Sequence, residues 1–127
     1  IIVFLGRNLK PRHASPAPFI ADFTNITNYP LSDYGISGEV IHTPGHTAGS
    51  QSVLIGKTLI AGDTFFNIHE KIIFPPFANN PQQVLKTWAV LFGMGIEEII
   101  PAHGKKFRVE KAVTEFEKWN KKLKIRG

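Results

Sequence analysis

Cysteine is absent from this 127-residue sequence. Its absence excludes disulfide scaffolds, thiolate metal sites and cysteine nucleophiles, so any metal has to be bound by histidine, aspartate or glutamate. Long apolar runs are also missing, and none approaches the roughly 20 residues of a membrane-spanning helix. The apolar segment at 1–5 has neither the basic leader nor the cleavage site of a signal peptide. We therefore expect a cytoplasmic protein without a membrane partner.

A strong charge of either sign is missing too, because the formal net charge is only +5. This small excess is compatible with an anionic substrate or partner, but it more often reflects plain solubility. Lys105, Lys106, Arg108 and the basic tail at 121–126 raise nucleic-acid binding as a minor alternative. No nucleic-acid-binding motif accompanies them, and a basic helix end is explained by its favourable interaction with the helix dipole. We therefore expect no nucleic-acid partner.

The sequence does contain enough apolar material for a core, with 43% apolar residues and ten phenylalanines. Its length corresponds to one domain. The phenylalanines of the loop at 64–80 are expected to pack in that core, with a pocket wall as the alternative. The chain begins with Ile rather than Met, so we expect that Ile1 is not the start of translation. Residues 1–127 are therefore predicted to be a single domain or the C-terminal part of a larger one.

Hydrophobic patterning predicts one mixed sheet with two main helices. The strands are predicted at 1–5, 38–42, 51–55, 58–61 and 96–100, and the helices at about 81–92 and 109–123. Gly56 and Lys57 form a two-residue loop suited to a type II′ hairpin. Asn80 is placed to cap the first helix, with Pro81 in its first position and Gln83 where a capping-box side chain would lie.

Three polar residues follow three of the predicted strands. The strands after residue 37 form an up-down-up meander, and the strand–helix–strand connection that follows implies a parallel pair. Three strands therefore end at one sheet edge, where His46, Asp63 and His103 come next in the chain. Imidazole and carboxylate suit transition metals, and a carboxylate between two imidazoles could bridge two ions that activate a shared water. Each residue taken alone would be read as an ordinary loop-end polar group.

Three short motifs resemble those of a known family. His-Thr-Pro-Gly-His-Thr-Ala-Gly-Ser at 42–50, Ala-Gly-Asp at 61–63 and Pro-Ala-His-Gly at 101–104 resemble, in this order, the third, fourth and fifth metal-site motifs of the metallo-β-lactamase fold superfamily. The resemblance implies an α/β fold of layered α+β type, with this chain as one αβ half of an αββα sandwich. It also implies a metal-dependent hydrolase that attacks an ester, thioester, lactone or related bond of a small-molecule substrate.

The resemblance also assigns roles to individual residues. It implies that His46 binds a first metal, that Asp63 bridges both metals and that His103 binds the second. The implied cofactor is one or two zinc (Zn) ions, with iron (Fe) or manganese (Mn) as alternatives. The residues expected to shape the loop or to hydrogen-bond to the ligands are His42, Thr43, Gly45, Thr47 and Ser50.

The family's first motif, His-x-His-x-Asp-His, is absent, so the resemblance covers the C-terminal half of the family fold. The histidines of the chain are His13, His42, His46, His69 and His103. A catalytic zinc takes three protein ligands of its own, so three ligands shared between two metal positions leave the centre incomplete. His69 is a better substitute ligand than His42, and neither is expected to serve. A chain that retains no metal by itself is therefore one expected outcome.

The absent half also leaves one face of the predicted sheet bare. Exposed apolar patches larger than a few hundred Å² are rare on soluble monomers and mark interaction surfaces. We expect the missing N-terminal half, or a second copy of the chain, to cover this face. The alternative to a hydrolase is a catalytically incompetent half-domain that acts as a binding or assembly module.

Overall fold

The computed structural model describes residues 28–126. The predicted strand at 1–5, together with His13, lies outside the described residues. The described elements, in chain order, are β1 (Tyr29–Pro30), a 3-10 turn (Ser32–Tyr34), β2 (Gly38–His42), β3 (Gln51–Ile55), β4 (Thr58–Gly62), α1 (Pro81–Phe92), β5 (Glu98–Pro101), β6 (Phe107–Arg108) and α2 (Val109–Arg126).

The strands form one six-stranded mixed sheet in the order β1-β2-β3-β4-β5-β6. Among the described strands, the β4–β5 pair is parallel and the other neighbouring pairs are antiparallel. The predicted meander, the parallel pair and the α+β class with two main helices are thus confirmed. The β3–β4 hairpin has a positive φ of 58° at Gly56, the first residue of its two-residue turn, as a type II′ turn requires.

The start of β5 was predicted two residues too early. The backbone N–H groups of Glu97 and Glu98 both donate to the carbonyl of Lys57, at 2.8 and 3.2 Å. Because Lys57 belongs to the β3–β4 turn, Glu97 lies before the start of β4, and the parallel ladder begins with Thr58 opposite Glu98. The Lys57 ammonium also hydrogen-bonds to the Glu97 carboxylate and lowers the pKa of Glu97. The two-residue strands β1 and β6 were not predicted, since they are too short for a period-2 pattern.

The N-terminus of α1 is capped as predicted, but only in part as a capping box. The side-chain oxygen of Asn80 accepts the N–H of Gln83 at 3.0 Å, and Pro81 occupies the first helical position. The N–H of Asn80 donates to the carbonyl of Gly45 at 2.9 Å instead of to a side chain of its own helix. The start of the helix is therefore tied to the loop that carries His46.

The core lies between one face of the sheet and the two helices. Trp88 of α1 is fully buried, stacks on Phe65 with ring centroids 4.4 Å apart, and donates its indole N–H to the carbonyl of Thr64 at 2.8 Å. Phe65, Phe66 and Phe74 are buried, as predicted for the loop at 64–80. Phe77 is 67% exposed, so the prediction of a core role was wrong for this residue. Aromatic packing thus places the loop after Asp63 firmly on the core.

The opposite sheet face, called the open face here, carries an apolar row. Val40, Val53, Ile60 and Ile100 are register partners across β2, β3, β4 and β5. Ile60 and Ile100 are 44% and 37% exposed, and Ile55 beside them is 42% exposed. Contiguous exposed apolar surface of this kind marks an interaction surface.

Within residues 28–126, neither helix combines the length and the apolar character needed to cross a membrane. The cytoplasmic location stays a prediction, as does the division of residues 1–127 into domains.

The cap of α1 yields a first testable expectation. Asn80→Ala removes the acceptor of the Gln83 N–H and should lower the free energy of unfolding by about 1 kcal/mol, a typical value for a lost N-cap. Asn79→Ala is the matched control, because Asn79 contributes its backbone N–H to the carbonyl of His46 and alanine retains it. Urea unfolding of both variants measures the difference. Equal midpoints for the two variants would contradict the assigned cap.

Candidate metal centre

The ends of β2, β4 and β5 bring His46, Asp63 and His103 together at one sheet edge. The Nε2 atom of His46 lies 3.6 Å from Oδ2 of Asp63, and the Nε2 atom of His103 lies 3.3 Å from Oδ1 of the same carboxylate. The carboxylate therefore stands between two imidazoles, each of which turns the same type of nitrogen toward it. This is the convergence that the strand directions predicted.

The loop between β2 and β3 is closed by hydrogen bonds among the residues predicted to shape it. The N–H of Thr43 donates to the carbonyl of Ser50 at 2.8 Å, and the N–H of Gly45 donates to the carbonyl of Thr47 at 3.0 Å. The Ser50 hydroxyl accepts the N–H of Thr47 at 3.1 Å and lies 2.9 Å from the Thr47 hydroxyl. The loop thus has a defined shape that does not depend on a ligand.

The N-terminal turn of α1 fixes the position of this loop. Gly45 has a φ of 138°, and a Cβ atom there would lie 2.6 Å from the backbone nitrogen of Val84. Only glycine permits so close an approach between loop and helix. The carbonyl of His46, the next residue, accepts the N–H of Asn79 at 3.0 Å. The segment at the start of α1 therefore fixes the backbone of both Gly45 and His46.

His42 and His69 do not join the cluster. The Nε2 atom of His42 lies 2.8 Å from the carbonyl oxygen of Ala48, so this ring braces the loop from within. His69 is exposed at the tip of the turn between Ile68 and Ile72, with a positive φ of 51°. Among the described residues, the histidines within ion-pair distance of Asp63 are His46 and His103.

Three fully buried hydroxyl groups lie beneath the site and connect its strands. The Thr64 hydroxyl donates to the Thr43 hydroxyl at 2.9 Å, which lies 3.0 Å from the Ser52 hydroxyl. Ser52 donates in turn to the carbonyl of Ala61 at 3.1 Å. This hydroxyl triad (Thr43, Ser52, Thr64) links the ends of β2 and β4 to the start of β3, directly next to Asp63.

Sequence reasoning identified Thr43 but missed Ser52 and Thr64. The available signal for Ser52 was a small polar residue at a core-facing position of β3, two residues before the buried Leu54. Thr64 follows Asp63 directly, and nothing in the sequence indicated that its hydroxyl points into the core.

The donor types fit a transition metal, but the described residues do not complete a site. No group of three or more His, Asp or Glu side chains suited to hold a metal ion is found within residues 28–126. Two buried atoms of the cluster lack a hydrogen-bond partner, namely Nδ1 of His46 and Oδ1 of Asp63. The 3.3 Å approach of His103 to Oδ1 is thus an ion-pair distance without hydrogen-bond alignment. A buried carboxylate oxygen left unpaired is costly, and a cation would satisfy it.

The hydroxyl triad generates a second expectation. Thr64→Val keeps the shape of the side chain but removes the Thr64 hydroxyl, which lies 2.9 Å from the Thr43 hydroxyl and 3.4 Å from the Ser52 hydroxyl. It should lower the free energy of unfolding by about 1–3 kcal/mol, the cost of an unsatisfied buried polar group. Thr114→Val is the control, because the Thr114 hydroxyl bonds to the carbonyl of Glu110 on an exposed helix face. Equal losses in the two variants, measured by urea unfolding, would refute a structural role of the triad.

A family model described as the metallo-beta-lactamase superfamily matches residues 6–103. The match includes His46, Asp63 and His103. Two curated relatives are similar over shorter stretches. The metallo-beta-lactamase domain-containing protein 1 of Xenopus laevis is 33% identical over 78 residues, which cover 58% of this chain and 33% of the relative. A probable metallo-hydrolase of Methanocaldococcus jannaschii is 53% identical over 36 residues, which cover 28% of this chain and 16% of that protein.

A solved structure has the same fold. It is an archaeal metallo-beta-lactamase superfamily protein from Sulfolobus tokodaii, with a TM-score of 0.54 and 19% sequence identity over 64% of this chain and 33% of that one. At this identity the likeness concerns the fold alone. The chain spans about a third of the length of this structure and of the Xenopus relative.

Proposed function

The chain belongs to the metallo-beta-lactamase superfamily, and we propose that it supplies part of the metal centre of a metal-dependent hydrolase. The observation that carries the proposal is the Asp63 carboxylate, which has the Nε2 atom of His46 on one oxygen and that of His103 on the other. The unpaired Oδ1 atom supports it further, because a cation would satisfy this oxygen. The relative from Methanocaldococcus jannaschii bears the name of a probable metallo-hydrolase.

In this proposal each residue of the cluster has one task. His46 and His103 would hold the metal through their imidazoles, and Asp63 offers one carboxylate oxygen toward each imidazole. The loop bonds of Thr43, Gly45, Thr47, Ser50 and His42 keep the His46 backbone in place. Zinc suits this donor set, and iron and manganese are the alternatives. When bound, the metal would supply an activated water and polarise the bond under attack.

The proposed substrate is a small molecule with an ester, thioester, lactone or related bond. Hydrolysis by metal-activated water needs no covalent nucleophile on the protein. The sequence agrees with this, because Gly49-Ser50 lacks the Gly-x-Ser-x-Gly pattern of a nucleophile elbow. Binding of nucleic acid is not part of the proposal.

The remaining ligands have to come from residues outside 28–126, and the open face gives a reason to expect a partner surface. Ile55, Ile60 and Ile100 expose apolar area on a sheet face that no described element covers. We propose that a second sheet packs there, since two apolar sheet faces pack about 10 Å apart in sandwiches. The source of this sheet is the remainder of a longer polypeptide, or else a second copy of this chain.

The second candidate function is a half-domain that binds or assembles without catalysis. The observation that favours it is the lack of a three-donor metal group within the described residues. In this reading His46, Asp63 and His103 hold at most a weak single ion.

A metal analysis with a matched pair of variants separates the two functions. In the hydrolase with its remaining ligands present, Asp63→Ala removes the carboxylate between the imidazoles, so metal content should fall from near stoichiometry to background and hydrolysis should be abolished. Asp33→Ala removes an exposed carboxylate far along the chain from the cluster, on the 3-10 turn, and should change neither quantity. Metal content after dialysis is measured by plasma mass spectrometry, and hydrolysis with a panel of ester, thioester and lactone substrates.

Full metal content and activity in Asp63→Ala would overturn the role of Asp63. Wild-type protein that is supplied with the proposed second sheet and its ligands, and still retains no metal and hydrolyses nothing on the panel, would instead favour the half-domain without catalysis.

A further inference from the structure

The ring of Phe66 lies against both imidazoles of the cluster. It stacks on His103 with ring centroids 5.0 Å apart and planes inclined by 19°, and it stands 6.1 Å from the ring of His46 at 54°. Phe66 is only 6% exposed, whereas the His103 side chain is 52% exposed. The stacked, buried ring of Phe66 therefore restricts rotation of the His103 imidazole, which is otherwise half exposed to solvent.

The backbone next to Phe66 holds the segment that bears His103. The N–H of Asn67 donates to the carbonyl of His103 at 2.8 Å. The Asn67 side chain donates through Nδ2 to the carbonyl of Lys105 at 2.7 Å and accepts the Lys111 ammonium on Oδ1 at 3.0 Å. Asn67 is 4% exposed and has both ends of its amide bonded. One buried residue thus fixes the chain on either side of Gly104.

The contact between the two segments requires glycine at position 104. Gly104 has a φ of 101°, and a Cβ atom there would lie 2.1 Å from the backbone oxygen of Asn67. Any side chain would push the two backbones apart. Phe66 is fixed on its other side by its N–H, which donates to the carbonyl of Ile73 at 2.9 Å. The segment that contains Phe66 and Asn67 is therefore fixed on one side by Ile73, and it packs closely against the turn after β5 on the other.

We propose that Phe66 and Asn67 are positioning residues for His103. Phe66 sets the plane of the imidazole, and Asn67 sets the backbone from which the imidazole projects. Together they hold Nε2 toward Asp63 in the metal-free protein, so that binding need not order this side chain. Restricting a side chain before binding removes part of the entropic cost of binding. The metal part of the proposal rests on the proposed function, whereas the orientation of the ring does not.

The orientation is tested without metal, by NMR of the histidine ring protons. A stacked Phe66 shifts the His103 ring resonances through its ring current, and the His103→Gln spectrum assigns them. In Phe66→Leu these resonances should move toward the values of a free histidine. Phe77→Leu is the control, because Phe77 lies in the same loop and is 67% exposed; it should leave them in place. Unchanged His103 resonances in folded Phe66→Leu would overturn the stacking role.

The consequence for binding is tested by titration with Co²⁺, followed by its visible absorption. Phe66→Leu and Asn67→Asp should each weaken binding about 10–100-fold, as loss of groups that orient metal ligands does, and Phe77→Leu should not. Asn67→Asp keeps the acceptor for Lys111 but loses the donor to the Lys105 carbonyl, so it tests the hydrogen bond from the Asn67 side chain to Lys105 with little change to the core. Unchanged affinity in both variants would overturn the proposal.

The two measurements also separate this inference from the proposed function. Wild-type protein that fails to bind Co²⁺ would count against the metal centre, while the NMR comparison still decides whether Phe66 orients His103. If Phe66→Leu does not fold, the His103 resonances in Asn67→Asp decide, because they should broaden or move when the hydrogen bond from the Asn67 side chain to the Lys105 carbonyl is lost.

Discussion

The parallel pairing of β4 with β5 is the constraint on which the site depends. It sets Gly62 opposite Pro101, after a register shift between Ile60 and Gly62, and the N–H of Ala102 donates to the carbonyl of Gly62 at 3.0 Å. Asp63 and His103 therefore leave the sheet side by side. An antiparallel pair would have sent one of them to the opposite edge. The crossover helix α1 makes the parallel pair possible, and its first turn also holds the His46 loop.

The two faces of the sheet differ in whether helices cover them. The helix-facing side is a closed core whose largest members, such as Trp88 and Phe65, also hold the backbone around Asp63. Polar groups in that core bond to one another in the hydroxyl triad, so the strand ends are fixed by directional contacts as well as by apolar packing. The open face lacks any such cover among the described elements. The cluster lies at the sheet edge, with the Asp63 and His103 side chains 39% and 52% exposed, which suits a centre that needs donors from beyond residues 28–126.

The sequence was sufficient for the strand directions and therefore for the convergence of the three polar residues. A two-residue turn at Gly56 and a crossover helix leave few topologies, and the family resemblance is confirmed by the match over residues 6–103. The ends of the strands were less predictable. The apolar run begins at Ile96, but β5 begins at Glu98, where the backbone N–H donates to the Lys57 carbonyl. The contacts of Phe66 were not predictable, since they depend on how the loop folds back toward His103. The ligand roles of the cluster stay predictions.

The central claim is that His46, Asp63 and His103 bind a common metal centre. Anomalous diffraction at the zinc absorption edge, from crystals grown with zinc, tests it most directly because it locates the ion and its ligands together. We expect an anomalous peak beside the Asp63 carboxylate, within bonding distance of the Nε2 atom of His46, His103 or both. Zinc bound elsewhere on the chain with this cluster empty, or no peak at saturating zinc, would contradict it.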